Sequence, residues 1–96
     1  MDVLEFCPDY SGQGPLWDAS GQQLELDSLG LDRTVVERVR RWLDDYDDSR
    51  LPIEGHGDSA WLSEGREILD GFRRALAGRY EVVTHEDWWG EPGQHF

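Results

Sequence analysis

Gly78-Arg79-Tyr80-Glu81-Val82-Val83-Thr84 closes a helix and opens a strand within seven residues, and the architecture follows from it. A glycine suited to a left-handed helix stop is followed at once by an alternating run rich in β-branched and aromatic residues, the pattern of a strand. Val3-Leu4-Glu5-Phe6 alternates in the same way and is stopped by Pro8, so the chain opens and closes on strands. Residues 9–15 form a loop containing glycine and proline. Leu16-Trp17-Asp18, Ala19-Ser20-Gly21 and Gln22-Gln23-Leu24-Glu25-Leu26 then read as a hairpin with Gly21 at a position needing positive φ. In its second arm Leu24 and Leu26 face one way and Gln23, Glu25 and Asp27 the other, giving a half-buried strand.

Two helices lie between the hairpin and the closing strand. The first begins near Asp32, a good N-cap, with Leu31 and Val36 at the positions of a hydrophobic staple; Thr34 with Glu37 offers a competing capping box. Val35, Val36, Val39, Trp42, Leu43 and Tyr46 make its apolar stripe, and Glu37–Arg41, Arg40–Asp44 and Arg41–Asp45 are spaced to pair on the outside. The second helix runs over residues 58–77 with the stripe Trp61, Leu62, Ile68, Leu69, Phe72, Ala75 and Leu76. Gly65 lies on that stripe, where a missing side chain lets a neighbour approach closely. Trp17, Trp42 and Trp61 are expected in the core. The order β-β-β-α-α-β predicts an α+β two-layer sandwich, with two helices covering one face of a sheet of three or four strands. Residues 1–87 form the domain and residues 88–96 an aromatic tail; the strand order is left open.

Charge is distributed unevenly along this chain of 96 residues and net charge −12. Residues 1–31 carry six carboxylates and no base, residues 32–78 hold eight arginines against eleven acids, and residues 79–96 have one arginine against four acids. If the terminal strands share a sheet, one side of the molecule is an anionic surface, which favours cationic partners and repels nucleic acid. Every base is arginine and asparagine is absent, which the codon supply of a GC-rich genome explains. The single Cys7 rules out an internal disulfide and fits a reducing cytoplasm. No signal peptide is visible, and no apolar run approaches the ~18 residues of a membrane span.

Local motifs carry little chemistry. Asp44-Asp45-Tyr46-Asp47-Asp48 closes the first helix, where carboxylates oppose the macrodipole. That cluster suits an Arg/Lys-rich partner or a divalent cation, or is simply a solvated helix end. An EF-hand is excluded, because counting from Asp45 the sixth position is Arg50 and the twelfth His56. His56, between two glycines and near Glu54 and Asp58, joins His85 and His95 as the only imidazoles. With one cysteine and no paired histidine spacing, no zinc site is expected. Cys7 has no basic neighbour to activate it. Gly12-Gln13-Gly14 is followed by Pro15 rather than a helix, so it is no phosphate loop. Trp88-Trp89-Gly90-Glu91-Pro92 is expected to dock at least one ring on the domain, or to expose an aromatic contact.

Leu16-Trp17-Asp18 with Gly21, then Leu29-Gly30-Leu31, the run from Trp42 to Tyr46, and Glu64-Gly65 resemble small uncharacterised acidic proteins of actinomycetes, over residues 15–83. Some relatives of that look are immunity-type proteins that accompany toxins. The resemblance implies a bacterial cytoplasmic protein and transfers no catalytic or binding residue. The expectation is a non-enzymatic acidic module, inhibitor or immunity-like, docking on a basic protein surface through Asp44, Asp45, Asp47, Asp48, Trp88 and Trp89. A DNA-mimic inhibitor of a nucleic-acid enzyme and an accessory subunit are the alternatives. No catalytic residue, metal or cofactor is assigned, and neither nucleic acid nor membrane is an expected partner.

Overall fold

The computed structural model describes residues 2–10, 14–53, 55–91 and 93. Of the features named above, Gly12, Gln13, Glu54, Pro92 and His95 lie outside the described residues. Strands β1 (Asp2–Phe6), β2 (Leu16–Trp17) and β3 (Tyr80–Val83) form one sheet in the order β2-β1-β3. Helices α1 (Arg33–Asp44) and α2 (Ser59–Ala75) cover one face of it, giving the two-layer α+β sandwich.

The first and last strands are direct neighbours. β1 pairs with β3 in parallel, from Asp2 opposite Tyr80 to Glu5 opposite Val83, and with β2 antiparallel, Glu5 opposite Trp17 and Phe6 opposite Leu16. A parallel pair cannot be joined by a tight turn and needs a crossover. Here the whole helical layer supplies it.

Strand alternation then sorts the side chains. Leu4, Phe6, Leu16 and Val82 point into the core shared with Val36, Val39, Leu43, Ile68, Leu69, Phe72 and Leu76. Val3, Glu5, Trp17, Glu81 and Val83 fall on the opposite face by parity. Trp17 is therefore not the core residue expected from the sequence. Leu16 takes the inward position, and the adjacent strand residue must point the other way. The indole N–H of Trp17 donates to the Cys7 carbonyl at 3.0 Å, which fixes the ring along the open face.

The hairpin's second arm is shorter than expected. Gly21 has φ 85° as predicted, Asp18 N–H donates to the Gln22 carbonyl and Leu24 N–H to that of Leu16. Beyond this, Gln23 makes one isolated bridge to Trp17, and a 3-10 turn begins at Leu26. Burying both Leu26 and Leu29 requires that turn, since a continuing strand would place them on opposite faces.

Both helices sit where periodicity put them. Asp32 is the N-cap of α1 by backbone, without a side-chain cap, while Asp58 caps α2 through a 3.1 Å bond from Trp61 N–H to its Oδ1. Their seam is aromatic. Trp42 and Trp61 stack at 4.3 Å and 11°, and each indole N–H donates to the other's backbone carbonyl, at 2.9 and 3.1 Å. The Trp42 carbonyl is one of the four that end α1 without an intrahelical partner, so Trp61 caps one helix while packing from the other. Gly65 fulfils its expected role. A Cβ there would lie 2.5 Å from the ring of Trp89 and 2.6 Å from that of Trp42.

The predicted pairs Glu37–Arg41, Arg40–Asp44 and Arg41–Asp45 do not form among the described residues. Glu37 instead meets Arg33, Arg40 reaches Asp27, and Arg38 crosses to Glu64 and Glu67 of α2. Exposed i,i+4 pairs contribute only a few tenths of a kcal/mol, so tertiary geometry overrides them readily.

Candidate functional site

The face of the sheet away from the helices carries a groove of about 490 Å³ lined by Val3, Glu5, Trp17, Asp18, Ala19, Gly21, Val83 and His85. Val3 and Val83, the latter only 2% exposed, are its aliphatic lining and Trp17 its aromatic one. A second hollow of about 330 Å³ adjoins it, sharing Val3, Asp18 and Ala19 and adding Asp2. Glu81 lies on the same face, opposite Val3 in the β1–β3 register.

Two carboxylates here are held in place. Glu5 Oε2 is 2.6 Å from Nδ1 of His85. Asp18 Oδ1 accepts from the Ser20 hydroxyl at 2.6 Å and from the backbone N–H groups of Ser20 and Gln22 at 2.9 Å each. The Ser20 hydroxyl bond, then that from Gln22, hold the Asp18 carboxyl below the usual aspartate range. It is thus a fixed anion at the groove's rim. Its Oδ2 makes no hydrogen bond among the described residues.

The arginines are elsewhere. Among the described residues, Arg33, Arg38, Arg40, Arg50, Arg66 and Arg73 form ion pairs, and none reaches Asp2, Glu5, Asp18, Glu81, Glu86 or Asp87. Arg79 donates to the Leu29 carbonyl at 3.0 Å. The strongest pairing is a clasp on α2. Arg73 grips Glu91 with two bonds of 2.6 Å and also donates to the Val82 carbonyl at 3.0 and 2.9 Å; Arg66 adds bonds to Glu91 at 2.9 Å and to the Trp89 carbonyl at 3.1 Å. Arg73, then Arg66, hold the Glu91 carboxyl below its ordinary range. The clasp occupies a backbone acceptor on β3, an edge strand, which blunts that edge against pairing with another chain.

The acidic turn after α1 is built partly from its own side chains. Asp45 is the helix C-cap. Asp47 caps the 3-10 turn Asp48–Arg50, its Oδ1 accepting from Ser49 N–H at 2.9 Å, and that bond lowers its pKa. Asp48 Oδ1 accepts the Tyr46 hydroxyl at 2.8 Å, and its N–H donates to the Tyr10 hydroxyl. Tyr46 is raised above its ordinary pKa by burial and then by Asp48. Tyr10 packs edge-on against Tyr46 at 4.7 Å and is 64% exposed; Ile53, 61% exposed, lines a hollow beside Asp48. Asp44 and Asp45 are exposed.

The residues singled out in the sequence are thus separated. Trp89 is in the core, edge-on to Phe6 at 5.1 Å and against Gly65, while Trp88 is half-buried. His56 is exposed in the loop before α2. Cys7 has exposed surface, yet its thiol is pushed up to about 11, first by desolvation and then by Glu5, Glu86 and Asp9. Among the described residues no three His, Cys, Asp or Glu side chains converge to hold a metal ion. No helix among them is long and apolar enough to cross a membrane. Sequence reading missed the groove's Trp17 wall, the Asp18 turn and the Arg66–Arg73–Glu91 clasp. Strict parity applied to Leu16-Trp17 was the available signal for the first. Arginines seven apart on one face of α2 were the signal for the last. Against known proteins, no protein-family model matches the chain and no curated protein is similar to it.

Proposed function

We propose that this chain is a non-enzymatic acidic module that caps a basic protein surface, in the manner of an inhibitor or immunity-type protein, and that its open sheet face is the docking surface. The observation that carries the reading is the pairing of β1 with β3. It joins the two arginine-poor ends of the chain into one face bearing Glu5, Asp18 and Glu81 around apolar Val3, Val83 and Trp17. The paired arginines meanwhile meet carboxylates of the helices, Asp27 and Asp58 beside them, and Glu91 beyond β3. Binding energy at protein interfaces concentrates in aromatic and aliphatic anchors ringed by polar groups. Surrounding carboxylates steer a cationic partner inward and raise the association rate. The turn of Asp44, Asp45, Asp47 and Asp48 adds to the long-range attraction without belonging to the face. The arginines of the helical layer interrupt the uniform negative surface that DNA mimicry needs.

The test is capture of basic proteins by the immobilised full chain at low and high salt, beside the triple variant Glu5→Gln, Asp18→Asn, Glu81→Gln. The reading predicts capture that is lost at high salt and in the triple variant, and largely retained when Asp44, Asp45, Asp47 and Asp48 are changed to Asn. Capture indifferent to salt, or abolished only by the second set, would contradict it.

A further inference from the structure

Resting on the docking reading above, we infer that the groove on the open sheet face is a receptor for a single arginine side chain of the partner protein. Three features on one surface point to arginine. The floor of Val3, Val83 and Ala19 offers an apolar track for the three methylenes of its stem. The Trp17 indole, tethered by its bond to the Cys7 carbonyl, lines the groove and supplies an aromatic ring of the kind on which a guanidinium stacks.

The third feature is charge. Asp18 and Glu5 are carboxylates on the rim, Glu5 held by His85, and neither has an arginine of this chain within ion-pair distance among the described residues. Asp18 is held in place by three bonds to Oδ1, none of which uses Oδ2. A planar, weakly hydrated cation with several donors fits this combination. A lysine ammonium can use the carboxylates but gains less from the ring and loses more hydration. The groove also explains why a tryptophan stands on the solvent face of a small sheet, where it adds nothing to the core.

The experiment uses the isotope-labelled full chain at low salt, titrated with the capped tripeptide acetyl-Gly-Arg-Gly-amide and with its lysine and citrulline counterparts. Citrulline keeps the shape of arginine and removes its charge. Expected is saturable movement of the Trp17 indole N–H and of the Val3, Ala19 and Val83 amides. The arginine peptide should bind roughly tenfold more tightly than the citrulline peptide and a few-fold more tightly than the lysine peptide. Trp17→Ala should weaken it by roughly tenfold. Ala19→Arg, a change at an exposed position that removes no packing, should abolish binding by placing the chain's own arginine at the site.

Equal affinity for the citrulline peptide, movement centred on residues 44–48, or binding unchanged in Ala19→Arg would overturn the assignment. So would concentration-dependent shifts of Trp17 without peptide, which would give the face to a second copy of the chain. The two readings separate cleanly. Salt-sensitive capture of basic proteins that survives Ala19→Arg discards the arginine receptor and leaves docking intact. Peptide binding without protein capture supports the receptor and removes the docking role.

Discussion

Two glycines of α2 show how one residue type acts in opposite ways. At Gly65 the rings of Trp89 and Trp42 occupy the space a side chain would need, and both belong to an aromatic seam with Trp61 and Phe6. Gly65→Ala is therefore predicted to destabilise the fold by about 1–3 kcal/mol through overpacking, despite the better helix former. Nothing but the tip of Arg74, at 4.0 Å, stands near Gly71, so Gly71→Ala should stabilise by about 0.5–1 kcal/mol. Paired thermal melts check both signs. Gly65 was legible in the sequence because it interrupts an apolar stripe; Gly71 had no such context. Cys7 gives a chemical prediction at the same scale. A thiol raised from 9.0 to about 11 has roughly a hundredfold less thiolate at neutral pH, partly offset by greater intrinsic nucleophilicity. Alkylation by iodoacetamide at neutral pH should run roughly ten- to thirtyfold slower than in the unfolded chain, and equal rates would refute the desolvated environment.

At the scale of elements, the fastening of the C-terminal segment to α2 determines acid sensitivity. The Glu91 carboxyl is 22% exposed and lies between Arg66 and Arg73. Its pKa is depressed in the fold, so its contribution is fully present above the ordinary value of 4.5 and is lost as pH falls through the lower folded value. Glu91→Gln should cost about 1–3 kcal/mol at neutral pH. The gap between variant and parent should close on acidification below 4.5, which urea melts across pH would show. A gap independent of pH would mean the clasp acts by packing alone. Helices and the first and last strands were readable because periodicities of 3.6 and 2 are local properties of the chain. The clasp was not, since Arg73 and Glu91 are brought together only by the turn at Gly78 and the run of β3. The shortened hairpin arm and the discarded i,i+4 pairs have the same origin: a core that demanded both Leu26 and Leu29, and acids on neighbouring elements that outcompeted those on the same helix.

For the molecule as a whole, the layered fold separates charge as well as polarity. α1 and α2 hold most of the arginines and use them against acids of the helices, adjoining loops and Glu91, while the face formed by the chain's two ends keeps Glu5, Asp18 and Glu81 out of ion-pair contact with arginine among the described residues, Glu81 sensing Arg73 at longer range. The sequence announced the imbalance in its first 31 residues; the neighbouring of β1 and β3 turned it into a surface. Parity along β1 and β3 declared part of that surface, while in the two-residue β2 its signal for Trp17 was overridden by the expectation that a tryptophan belongs in the core. The separation itself is open to direct measurement by solution NMR with cationic and anionic nitroxide cosolutes, whose relative enhancements at each amide report the local surface potential. The amides of Val3, Glu5, Asp18, Ala19, Glu81 and Val83 should enrich the cationic probe severalfold over the anionic one, while the outer face of α2 shows little preference. Equal enrichment over α2 and the sheet would contradict the separation.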